Sequence, residues 1–84
     1  MKIVGHENPD LPIDKIRFIE LAEVAFEASP FELRKIAAFL SQAADNMETM
    51  GVAFDHEHLS EYQPGFEDSP HVVVFRSSEK VGRS

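Results

Sequence analysis

The stretch SPFELRKIAAFLSQAADNMETMG, residues 29–51, constrains this chain more than any other. Ser29 offers a hydroxyl to the first turn of a helix, Pro30 stands at the first helical position, where its missing N–H costs nothing, and Glu32 completes a capping box. Leu33, Ile36, Ala37, Leu40, Ala44 and Met47 then recur at three- and four-residue spacings. Phe39, Ala43 and Met50 widen that stripe on one side, while Arg34, Gln42, Asp45 and Glu48 lie mostly away from it. Gly51 occupies the place where a glycine ends a helix. A helix of about 20 residues is roughly 30 Å long and can cross the whole of a small sheet. In a chain of 84 residues it leaves room for one modest core, so residues 1–84 are read as a single domain.

The preceding segment, IRFIELAEVAFEA at residues 16–28, supports two readings. As a helix, Phe18, Leu21, Ala22, Ala25 and Phe26 make one face and Glu20, Glu23 and Glu27 fall near the other. As a strand, Phe18, Ala22, Val24, Phe26 and Ala28 share a side with Glu20 as the exception. Periodicity leans slightly to helix. Ser29-Pro30 pulls the other way, because the residue before proline is extended and no helix–helix loop fits before the next helix begins. Partnership also favours strand: HVVVFR at 71–76 is rich in β-branched residues, KIV at 2–4 is a second short candidate, and neither can form a sheet alone.

These elements predict an α+β fold: a small antiparallel or mixed sheet of about three strands in β-β-α-β order, with one long helix packed across it. Asn8, Pro9 and Pro12 mark the first turn. Residues 51–70, with Gly51, Pro64, Gly65 and Pro70, read as a long acidic loop holding at most a short turn of helix or strand. A loop of that length in a compact domain is usually functional or mobile. The tail, residues 77–84, is expected to fray.

Composition narrows the function. Fifteen acidic against eight basic residues give a formal charge of −7, and residues 51–70 carry five carboxylates and no lysine or arginine. Such a surface repels a phosphate backbone and attracts a basic partner, so nucleic acid is not the expected ligand. There is no cysteine, which excludes disulfides, thiolate nucleophiles and cysteine zinc sites and fits a reducing compartment. No apolar run reaches the length of a signal peptide core or a membrane helix, and the cytoplasm is the expected location.

The chemistry concentrates in AFDHEHLSEYQPGFEDSP, residues 53–70. His56 and His58, alternate residues of an extended segment, could offer two imidazoles to one zinc or nickel ion, with Asp55, Glu57 or His6 completing the set. A lone HxH is not specific and no HExxH is present, so no metal or other cofactor is assigned. Ser60 beside either histidine has no nucleophile elbow or oxyanion glycines, and no Walker or GxGxxG sequence occurs, so no catalytic residue is named. The loop suits recognition better: Tyr62 is an aromatic anchor in a charged setting, while Phe66 is expected to fold back and seal the helix against the sheet. Whether Tyr62 points outward with the acids or inward with Phe66 stays open. The residues read as partner-binding are Asp55, His56, Glu57, His58, Glu61, Tyr62, Glu67 and Asp68, the acids rimming the surface and steering a cationic partner. Exposed strand edges in so small a sheet leave a homo-oligomeric interaction module as the alternative.

The pattern ELAEVAFEASPFELRKIAAFLSQAADNME, followed by FDHEHL and later by a hydrophobic strand, resembles the immunity protein 32 family of bacterial polymorphic toxin systems. The resemblance covers roughly residues 17–76 and is carried chiefly by SPFELRKIAAFL and FDHEHL. It implies that the segment before Ser29-Pro30 is a strand. It also implies a protein that protects its cell by binding and occluding a cognate toxin, without turnover and without a cofactor. The acidic loop adds the expectation that this toxin is basic.

Overall fold

The structure is a computed structural model, and it describes residues 1–6 and 18–77. The expected turn at Asn8, Pro9 and Pro12 and all but Ser77 of the expected frayed tail lie outside the described residues. The α+β class holds, but a further strand and a short helix within the segment read as a loop make the order β-β-α-β-α-β, and the strands form two antiparallel pairs in place of one sheet of about three. In chain order the elements are β1 (Ile3–Gly5), β2 (Ile19–Leu21), α1 (Pro30–Met50), β3 (His56–His58), α2 (Leu59–Tyr62) and β4 (Val73–Phe75), with a turn of 3-10 helix at Gly51–Ala53. β1 pairs with β2, and β3 pairs with β4.

The start of α1 is set by local chemistry. The Glu32 N–H donates to the Ser29 hydroxyl at 3.1 Å, and the Ser29 N–H donates to the Glu32 carboxylate at 2.8 Å, so the capping box is complete. Two helix-start donors are thereby satisfied before any tertiary contact forms. The helix ends at Gly51, whose φ of 59° and ψ of −130° lie in a region that side chains rarely adopt. Its N–H closes the last turn on the Met47 carbonyl.

Only part of the long apolar stripe is used. Ile36, Phe39 and Ala43 are buried, while Leu33, Leu40 and Met50 stay exposed. The buried face meets Leu59 of α2 and Phe66, with Val72 and Val74 packed against the same cluster. One short strand pair and one turn of helix are too narrow to cover more of a helix about 30 Å long.

Residues 16–28 divide. Ile19–Leu21 are strand, and Ala22–Ala28 carry no regular structure, so the strand reading holds only for the segment's first part. Its described partner, β1, is three residues long, which limits how far the ladder can run. In the loop read at 51–70, β3 and α2 appear because β4 supplies β3 with a neighbour.

Candidate functional site

Alternation along β3 sends its three residues in two directions. Glu57 turns toward α1 and is 8% exposed, the one charged residue among the buried ones described. The Asn46 side-chain amide donates to both carboxylate oxygens, at 2.9 and 3.3 Å, and the Tyr62 hydroxyl donates to Oε2 at 2.9 Å. These bonds satisfy a carboxylate that burial would otherwise penalise by several kcal/mol, on the order of a lost charged hydrogen bond or more. α2 makes this possible: Leu59 is buried at its first position, and the single turn carries Tyr62 back over Glu57.

Tyr62 therefore has two environments. One side of its ring approaches Phe39, with centroids 6.1 Å apart, yet the residue is 45% exposed. The hydrogen bond to Glu57 raises the phenol pKa above its ordinary 10.0, and partial desolvation and the charges of Glu57 and Glu61 add to the effect. The question left open in the sequence resolves into a shared arrangement: Tyr62 presents its ring outward while its hydroxyl is held inward, and Phe66 is buried as expected.

His56 and His58 lie on the opposite face. Their ring centroids are 5.1 Å apart, and His71 joins them at 6.2 Å from His58. Phe75, directly across the ladder from His56, stacks at 5.3 Å, and Nδ1 of His56 sits 2.5 Å from a carboxylate oxygen of Asp55. Among the described residues, no three histidine or carboxylate groups stand together as a metal ion would require. Glu67 accepts the Gly65 N–H at 3.4 Å, and Glu61 and Asp68 are exposed.

The eight residues read as partner-binding thus fall on more than one surface. Asp55, His56 and His58 belong to the outer face of the β3–β4 pair, whereas Glu57 and Tyr62 belong to the helix side. Glu57 holds Tyr62 in place and does not rim the surface. Two contributors escaped the sequence reading. Asn46 continues the Ile36, Phe39, Ala43 spacing, so a polar residue on the buried face was the available signal. His71 becomes visible only with the ladder register, which sets Val73 opposite His58 and brings the residues before it alongside.

Fold and site together define a small α+β protein that presents an exposed aromatic, pinned from beneath by a buried carboxylate, among further acidic side chains. The family model for Immunity protein 32 matches residues 23–77, and the chain belongs to that family. No curated protein and no solved structure matches it. The matched region contains α1, β3, α2 and β4 and begins within the irregular segment after β2. No helix among the described residues is long and apolar enough to cross a membrane.

Proposed function

We propose that this protein is a cytoplasmic, single-domain inhibitor that binds and occludes a cognate toxin with a basic surface, without catalysis and without a cofactor. Membership of the immunity family supports a toxin as the partner. The observation that carries the choice of surface is Tyr62, half exposed yet fixed by its hydrogen bond to buried Glu57. An aromatic whose rotamer is already held loses little entropy on binding, which is the property of an interface anchor. Glu61, Glu67 and Asp68 add negative charge along the same segment, while Asp55, His56 and His58, on the outer face of the β3–β4 pair, would serve as a separate patch of the contact. The net charge of −7 speeds encounter with a basic partner at low salt.

The test is co-expression with candidate toxins encoded near this gene, followed by binding measurements. Tyr62→Ala is expected to weaken binding by about thirtyfold or more. A paired Glu61→Lys, Asp68→Lys variant is expected to lower the association rate and its salt dependence while leaving unfolding nearly unchanged. Absence of protection, with no toxin recovered from the source cell, would overturn the reading. A second reading, a homo-oligomeric module, draws on the strand edges that no described residue pairs with in either sheet. A rise in mass with concentration that covers Tyr62 would favour it.

A further inference from the structure

A cleft of about 460 Å³ separates the N-terminal segment from β4. Val4, Val24 and Phe26 form one wall, Phe66, Val72 and Val73 the other, and Ile36 lies among the lining residues. The ladder shows which backbone groups of β4 are committed. The Leu59 N–H donates to the Val72 carbonyl at 2.9 Å and the Arg76 N–H to the Asp55 carbonyl at 3.3 Å. In an antiparallel pair, bonded residues alternate, so Val72, Val74 and Arg76 face β3 while the N–H and C=O groups of Val73 and Phe75 face away. No strand occupies that edge among the described residues.

We infer that this edge and cleft receive an extended, apolar segment of the partner flanked by lysine or arginine, adding a strand to β4. Backbone bonds to Val73 and Phe75 give the segment its register, and the apolar walls take alternate side chains. Charge selects the occupant. Glu27 and Glu32 line the cleft, no lysine or arginine among the described residues does, and Glu67 and Asp68 lie in the chain between its lining residues Phe66 and Ser69. A second copy of this chain would bring its own charge of −7 to an acidic cleft, whereas a basic-flanked segment meets opposite charge. The toxin as source of that segment rests on the function proposed above; the strand-accepting edge does not.

The probe is a short synthetic peptide of alternating valine and threonine with paired lysines at each end, compared with the same peptide ending in paired glutamates. The lysine peptide is expected to bind this protein, to slow amide exchange at Val73 and Phe75, and to weaken with salt. Val73→Pro removes an outward N–H without touching the β3 ladder and is expected to lower that affinity at least about tenfold. Glu27→Lys, a surface charge reversal independent of strand geometry, is expected to act in the same direction.

No binding, equal binding of the glutamate peptide, protection at Tyr62 in place of Val73 and Phe75, or full affinity in both variants would overturn the inference. So would a concentration-dependent dimer in which those two amides are already protected. Loss of toxin protection in Tyr62→Ala but not in Val73→Pro would remove this site and leave the proposed function standing. Peptide binding without any toxin partner would do the reverse.

Discussion

The N-terminal segment and the body that follows it are similarly supplied with apolar residues, yet they meet opposite fates. Every buried hydrophobic side chain described lies between Ile36 and Phe66, whereas Phe18, Ile19, Val24 and Phe26 are all exposed. Residue type does not separate them, since Phe39 is fully buried and Phe26 is 50% exposed. Neighbours do. Phe39 stands on a helix whose face is met by Leu59, Phe66, Val72 and Val74. Phe26 follows a strand whose described partner is one three-residue strand. Burial, and the stabilisation of roughly 25 cal/mol per Å² that goes with it, needs two surfaces to meet.

The sharpest way to break this contrast is a matched pair of truncations. Phe39→Ala should destabilise by about 3–5 kcal/mol, and Phe26→Ala by about 0.5 kcal/mol or less, measured by urea unfolding. Equal losses would mean that the N-terminal segment packs as tightly as the body. At the junction of the two regions, Ser29→Ala removes the acceptor for the Glu32 N–H and should cost about 1 kcal/mol. A much larger loss would show that the cap also holds the segment before it.

The smallest expected effect sharpens the comparison from within the body. Tyr62 has a native pKa above its ordinary value, chiefly through Glu57. A raised native value means that the associated stability is fully present below the unfolded pKa, near 10, and is lost as pH rises through the native one. Phenolate absorbance should therefore titrate later in the native protein than in the unfolded chain, and Glu57→Gln should bring the two curves closer. Coincident curves in the unsubstituted protein would show that the hydroxyl is free.

What could be read from the sequence follows the range of the interactions involved. The helix at 29–51 was legible because its signals are local: Ser29, Pro30 and Glu32 lie within one turn, and Gly51 marks the other end. The chemistry of residues 53–70 was legible as composition, and the inward turn of Phe66 as a packing need. The geometry of that segment was not. β3 and α2 are only three and four residues long, and β3 exists because β4, far along the chain, pairs with it. Glu57 looked like one acid among five, and only alternation in a formed strand distinguishes it from its histidine neighbours. The apolar stripe of α1 gave the helix but not which half of it would be covered, since Leu33 and Leu40 carry the same local signal as Ile36 and Phe39.

The confinement of the core to Ile36–Phe66 bears on the order in which the protein can form. A ribosome delivers the N-terminal segment first, with its exposed phenylalanines and no core to join. Nothing can close until Phe66 has emerged, and β4 must follow to cover it. The contacts then required join α1 to residues as distant as Val72 and Val74, so loop closure must be met before burial rewards it. The N-terminal segment thus waits, its apolar side chains exposed, for a surface that is made after it.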